Sequence, residues 1–529
     1  MQMDEPVRHV TIVGGGTAGW LSAIVLQARL NANRPGPPVK ITLIESPNIA
    51  IIGVGEGTLP AFPKLMKSLG IEEAELAQRC NATFKLGVHF VDWNLDEKGA
   101  PYSFTHPFRY CGMIAGRNSL NYYLAFGAQS QADRLDVADS LSPIPEAIRT
   151  KRGPTGPQPD GAKSLLDRYA YHFDAVRLAE FLKEKSVARG VEHIVDDVDE
   201  VVVGEGGTVT HLRLRKGGLR PVEFVIDCTG FKGLVISEAL KEPFHPYSQQ
   251  LLCDRAVALQ IPHGQPDGLE ACTRATALGA GWVWRVPLFN RIGTGYVYSS
   301  AFRTEEQAVA EFTRHLGVDP DKVEPRIIRM RVGRLHRAWV GNCVAVGLSS
   351  GFVEPLEATA IMTIQTAVRH IVRNFPSKSM PPALRDRYNR TMADFHDNVR
   401  DFILFHYYLA NRNDPFWVAA RAPSVRSDSL EENLGVWRHR LPIEEDIPKG
   451  GIFTEVSYGI CMTAKGFYRD NKLASQMNLP AAPWQTFGAN LGRAKSRVRS
   501  MPSAREYLAG LRGERAAPRH ELGDLSLAV

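Results

Sequence analysis

The sequence predicts an α/β fold: a Rossmann-type dinucleotide-binding module assembled from pieces far apart in the chain, with a mostly helical part appended. Three observations predict it. The chain opens on an apolar strand, a glycine-rich turn and a helix. Two apolar segments far downstream, Phe224–Gly230 and Cys343–Gly347, end in tight turns as the strands of such a sheet do. From about Pro376 onward the pattern reads mostly as helix.

The first element is the strand His9–Val13, followed by the turn Gly14-Gly15-Gly16-Thr17-Ala18-Gly19 and a helix over Trp20–Leu30. A polar Pro/Gly break at Asn31–Pro38 precedes a second strand, Val39–Ile44, which ends at Glu45. Glycines let the backbone approach a pyrophosphate, and the free N–H groups at the helix N-terminus favour an anion there. An acid ending the second strand accepts from ribose hydroxyls. A lone G-x-G-x-x-G is weak, but here strand, helix and acid surround it.

Further along, Lys151–Ala162 is rich in Pro and Gly without periodicity and reads as a surface loop or insertion. Order returns at Tyr169–Phe181, and Val191–Val203 alternates like a strand. In Gly281-Trp282-Val283-Trp284-Arg285-Val286-Pro287 two indoles point to one side of an extended segment, since strand side chains alternate. Pro287 is expected to stop that segment from pairing freely. The plain alternative is that both tryptophans are core aromatics. The resulting division is 1–110 for the first part of the nucleotide module and 111–190 for a substrate-side insertion carrying the Pro/Gly loop. Residues 191–375 hold the later parts of the module with the W-x-W-x-x-P segment, and 376–529 the helical C-terminal region.

At 529 residues the chain is too long for one ordinary domain, and 44% hydrophobic with 23% charged residues is the make-up of a soluble globular protein. No stretch approaches the roughly 20 apolar residues that span a bilayer. The first strand begins near Arg8-His9-Val10, which leaves no room for a secretory segment ahead of it. Seven scattered cysteines without a C-x-x-C pair indicate neither a zinc site nor a disulfide framework, and fit a cytoplasmic location. The net charge of +6 is modest. Basic residues from Arg493 to Arg515 are interrupted by Glu506 and Glu514, which suits a solvated helix better than a nucleic-acid footprint.

Taken together, Gly14–Gly19, Gly53-Val54-Gly55-Glu56-Gly57-Thr58, Lys85, the W-x-W-x-x-P stretch and Gly347-Leu348-Ser349-Ser350-Gly351-Phe352-Val353-Glu354-Pro355-Leu356-Glu357 resemble the flavin-dependent tryptophan halogenase family. The similarity runs from the N-terminus to about Phe416-Trp417, with Val286 where the family has isoleucine. The resemblance implies an FAD-binding module of the aromatic-hydroxylase (GR2) type. It implies an oxidoreductase that uses FADH2 from a separate NAD(P)H-dependent reductase, O2 and a chloride or bromide ion to make hypohalous acid. That oxidant would pass through a tunnel and halogenate an indole or other electron-rich aromatic. A homodimer is left open, and neither metal, nucleic acid nor membrane is expected. The rival reading is a flavin hydroxylase transferring oxygen directly, which a plug formed by Trp282 and Trp284 argues against.

Residue by residue, the resemblance implies that Gly14, Gly16, Thr17, Ala18, Gly19, Glu45, Gly55, Val198, Leu348 and Ile361 bind FAD. Lys85 and Glu357 would be catalytic, Thr359 and Ala360 would hold the halide, and His106 and Phe108 would face the substrate. The residues themselves support part of this. Lys85 interrupts an apolar run, and burying an ammonium is costly enough to need a reason; the alternative is an exposed strand lysine. Glu357 follows Pro355 into what reads as a helix continuing through Ala367, where an acid is also an ordinary N-terminal residue. Members specific for tryptophan read E-S-T-G here, whereas this chain has Glu357-Ala358-Thr359-Ala360, and the region around Phe453–Tyr458 does not match the family's amino-acid grip. Free tryptophan is therefore expected to be a poor substrate.

Overall fold

The computed structural model of the chain describes residues 5–32, 36–50, 53, 55–128, 137–154, 166–264, 269–469, 473 and 478–514. The centre of the Pro/Gly loop, 155–162, and the basic residue Arg515 lie outside them. A six-stranded sheet forms the nucleotide module, in the order Glu192–Val195, Lys40–Glu45, His9–Val13, Phe224–Asp227, Cys343–Ala345, Trp339–Val340. The first five run parallel and the last is antiparallel. Parallel strands are buried on both faces and so read as continuous apolar runs; Phe224–Asp227 is buried at every position.

The segment expected to be one strand over Val191–Val203 is two. Glu192–Val195 joins the parallel sheet, and Val198–Val203 turns away to pair antiparallel with Val209–Leu214. The two-residue break is Asp196-Asp197, whose carboxylates accept from the N–H groups of Lys216 and Gly217, from Ser46 and from Asn48. Polar side chains that bind nearby backbone end a strand more readily than they extend it.

A seven-stranded sheet runs Arg326–Arg329, Arg255–Ile261, Ile292–Tyr298, Gly281–Pro287, Thr273–Leu278, Gly87–Leu95, Pro101–Pro107. The W-x-W segment is thus central and paired on both sides, contrary to the expectation from Pro287. Proline removes only its own N–H from the ladder, and Pro287 is the last residue of the strand, opposite Ile292. A short antiparallel sheet of Gly55–Gly57, Ala170–Asp174 and Thr83–Lys85 bridges the two large ones.

Two large apolar cores follow. One lies between the parallel sheet and the helices Thr17–Leu30 and Ala360–Arg373. The other packs Trp282, Trp284 and Val286 against the C-terminal helices, chiefly Pro382–Tyr408 and Glu455–Ala464, while the intervening Val283 belongs to a smaller cluster on the opposite face. This is the strand alternation that the two indoles imply. No helix among the described residues is long and apolar enough to cross a membrane.

Candidate active site

A cavity of about 950 Å³ opens at the C-terminal ends of the parallel strands, where ligands of such sheets bind. Its size falls at the upper end of ordinary ligand pockets, about 300–1,000 Å³. Gly14, Gly16, Thr17, Ala18, Glu45, Gly55, Val198, Leu348 and Ile361 all line it. Gly19 does not: a Cβ there would lie 1.9 Å from the Gly14 carbonyl oxygen, so this glycine serves helix-to-strand packing. Gly14 adopts φ +115°, and a Cβ would meet the Cys228 carbonyl oxygen at 2.3 Å. Gly16 differs, because a Cβ there meets nothing within 4 Å and would project into open space at the cavity wall.

The helix Thr17–Leu30 starts within the turn, three residues earlier than expected, with Gly16 as an N-cap that offers no side-chain cap. Its first N–H groups are therefore free for an anion. Glu45 ends its strand half-buried, and one carboxylate oxygen faces His193 Nε2 at 2.8 Å. The glycine cradle, the uncapped helix and the acid together fit a flavin dinucleotide.

Trp284 and Val286 form part of the wall of this cavity. Trp282 lies deeper, its ring centroid 6.5 Å from that of Trp284. Its Nε1 donates to Glu354 at 3.1 Å, and the Tyr407 hydroxyl donates to the same carboxylate oxygen. Burial pushes the Glu354 carboxyl up to about 7. A double-tryptophan wall thus stands beside the cavity, fixed from behind by a buried acid.

The short bridging sheet brings the lysine in beside Gly57 and Ala358, which both line the cavity. Lys85 is 0% exposed, and its Nζ has no hydrogen-bond partner among the described residues. A Cβ on Gly57 would sit 3.4 Å from that Nζ, 3.2 Å from the Ala358 methyl and 3.5 Å from the His172 ring. The Phe108 ring centre lies 5.2 Å from the ammonium. Burial lowers the Lys85 ammonium to about 8, with the Glu357 charge working against the fall. His172 contacts the hydroxyls of Thr83 and Thr273, and burial with the nearby Lys85 keeps it neutral by lowering its pKa well below the usual value.

Glu357 is also buried, and one of its oxygens, Oε2, is without a partner among the described residues. Oε1 faces His106 Nδ1 at 2.8 Å and His406 Nε2 at 3.5 Å. Burial works against its charge, but these contacts outweigh it and hold the carboxyl well below the usual carboxylate range. The helix expected to run from Pro355 begins only at Ala360, because Glu357 and Ala358 take left-handed φ values of 64° and 58°. Non-glycine residues there cost on the order of 1–3 kcal/mol each, and the strain swings the glutamate out of the helix toward His106. Thr359 is the N-cap of Ala360–Arg373, and both Thr359 and Ala360 line the cavity.

The structure therefore brings Lys85, Glu357, His106 and Phe108 together, next to a cavity lined by most of the expected nucleotide residues. Sequence reasoning missed His172, Glu354, His406 and Lys465. Glu354 was within a quoted motif; His172 sits in a buried strand, His406 in a helix and Lys465 just past the end of another, none with a local sign of chemistry.

Comparison with known proteins bears on this geometry. A family model described as tryptophan halogenase matches residues 9–478. The chain is 37% identical over 522 residues to tryptophan 6-halogenase SttH of Streptomyces toxytricini, covering 95% of this chain and 98% of that protein. The crystal structure of a tryptophan halogenase from Shewanella frigidimarina superposes with a TM-score of 0.89 at 29% identity, over 97% of this chain and 99% of the other. BrvH, a flavin-dependent halogenase from Brevundimonas sp. BAL3, gives a TM-score of 0.83 at 34% identity, over 96% and 99%.

Proposed function

This chain belongs to the tryptophan halogenase family and is a flavin-dependent halogenase; from that premise we propose that Lys85 and Glu357 together halogenate an indole or another electron-rich aromatic held against His106 and Phe108. The observation that carries this reading is the pair itself: a buried lysine whose ammonium has no hydrogen-bond partner among the described residues, and a buried glutamate with one oxygen likewise unpartnered, beside the nucleotide cavity. When bound, reduced FAD supplies, with O2 and halide, the hypohalous acid that these residues use. The chain's own part begins where Gly14, Gly16 and the helix N-terminus hold the pyrophosphate and the N–H groups of Thr359 and Ala360 hold the halide. Trp282 and Trp284 bar the aromatic substrate from the flavin and leave passage only for a small oxidant. Lys85 then donates a hydrogen bond to hypohalous acid beside the ring. The aromatic carbon takes the halogen, the hydroxyl departs as water with the lysine's proton, and the ring proton passes to Glu357 Oε2.

The substrate is better described as a neutral indole than as free tryptophan. Phe453 stacks on Phe402 at 3.7 Å between ring centres, and Phe402 lies 5.8 Å from His106, so the region that does not match the family's amino-acid grip is packed with aromatic rings here. A separate flavin reductase supplies the reduced cofactor, the unpaired cysteines suit a cytoplasmic enzyme, and a homodimer is compatible with the reading. The test is Lys85→Ala. Halogenation is lost while FAD binding and hypohalous acid formation persist, measured with reductase, NADH and bromide against an indole panel by mass shift. A variant that still halogenates at a comparable rate removes the lysine from the mechanism.

A further inference from the structure

Behind Glu357 lie two buried groups that the reaction above does not use. His406 is fully buried on the long helix Pro382–Tyr408, and neither ring nitrogen has a hydrogen-bond partner among the described residues. Leaving such a nitrogen orphaned is costly, yet Nε2 stands 3.5 Å from Glu357 Oε1, just beyond a hydrogen bond. The ring is held firmly. It stacks on Phe90 at 4.5 Å and 15°, Phe90 stacks on Phe104 at 4.8 Å, and Phe402 meets the imidazole edge-on at 5.0 Å.

Below the ring, Lys465 Nζ donates to the main-chain carbonyl of His406 and to Asn94 Oδ1, each at 3.1 Å. Its charge lies over Phe90, Trp93 and Phe104 at 5.1–5.9 Å, which offsets part of the cost of burying it. The anchor therefore fixes both the backbone and the stacking partner of the histidine.

We propose that His406 is a positioning residue for Glu357: its Nε2–H closes on Oε1 beside His106, leaving Oε2 turned to the reacting carbon, and Lys465 anchors it there. This rests on the reading of Glu357 as the proton acceptor. The groups facing Glu357 are His106 on Pro101–Pro107, Lys85 on Thr83–Lys85, His406, and Cys461 on Glu455–Ala464. Burial, opposed by Glu357 and reinforced by Lys465, lowers His406 to about 4. The ring thus stays neutral at working pH, with one N–H to donate.

The test compares His406→Phe, which keeps the ring stack, with His406→Gln, which restores a donor, under saturating reductase. His406→Phe should leave KM within about twofold and lower kcat about tenfold, the scale of one hydrogen bond to a charged group. The acid limb of its kcat–pH profile should move upward, because Glu357 loses a donor to its ionised form; His406→Gln should recover both. A merely structural histidine would depress both variants alike and leave the acid limb in place, and that outcome overturns the proposal, as does wild-type kcat in His406→Phe. If His406→Phe does not fold, His406→Asn, too short to reach Oε1, replaces it in the same comparison. Glu357→Gln runs in parallel. Halogenation persisting in it sinks the Glu357 reading and this inference with it, whereas an inactive Glu357→Gln with an unshifted His406→Phe sinks this inference alone.

Discussion

Replacing Lys85 by methionine should destroy activity and stabilise the protein. Methionine is unbranched and of similar length, and no hydrogen bond to the ammonium is lost among the described residues. Burial holds the ammonium at about 8 against an ordinary 10.5, which costs the folded state on the order of 3 kcal/mol while the lysine is charged. The face of Phe108, 5.2 Å away, returns part of this and makes the figure an upper value. The sign follows from proton uptake. At high pH the lysine is neutral in folded and unfolded chains alike, so nothing is lost. As pH falls through about 10.5 the unfolded chain takes the proton first and is stabilised; the cost to wild type grows until the folded lysine is protonated near 8, then stays constant. The methionine variant should therefore exceed wild type in denaturation midpoint at pH 7, and the gap should shrink to about a quarter by pH 10. Guanidinium unfolding at the two pH values, with halogenation measured in parallel, checks this. A variant less stable at pH 7, or a gap equal at both, would show that Lys85 bears no desolvation cost.

Other expectations are shorter to state. Gly16→Ala should fold normally, since its Cβ meets nothing within 4 Å, but should weaken FAD binding about tenfold or more by crowding the pyrophosphate; unchanged affinity by flavin fluorescence titration would place the cofactor elsewhere. Ala358→Gly should raise the thermal midpoint by relieving a φ of 58°, a gain of about 1 kcal/mol or less once the added freedom of the unfolded chain is counted. A lowered midpoint would argue against strain. Indole should exceed free tryptophan in kcat/KM, because a zwitterion left without paired groups is poorly bound, and the reverse ratio would return the chain to an amino-acid substrate.

The nucleotide half was legible because its constraints are local. Gly19 is dictated by the Gly14 carbonyl oxygen five residues back, and Glu45 is marked by its place at a strand end; Gly14 answers to the distant Cys228 carbonyl oxygen but is betrayed by its place in the same short motif. Lys85 was legible for a different reason: a charge within an apolar run carries a cost that composition alone displays. Glu357 was legible as a residue but not as a geometry. Its partner His106 is 251 positions away, His406 lies in a helix whose pattern is only amphipathic, and nothing in Leu356-Glu357-Ala358 announces left-handed backbone. That backbone has a consequence for both halves of the site. A glutamate in the first helical turn would lie beside the free N–H groups and repel an anion there. Two left-handed residues carry its charge away to His106 and leave the helix start at Thr359 and Ala360 facing the cavity. The strain thus separates the uncapped helix start from the glutamate's charge within four residues, which a continuous helix would have forced together.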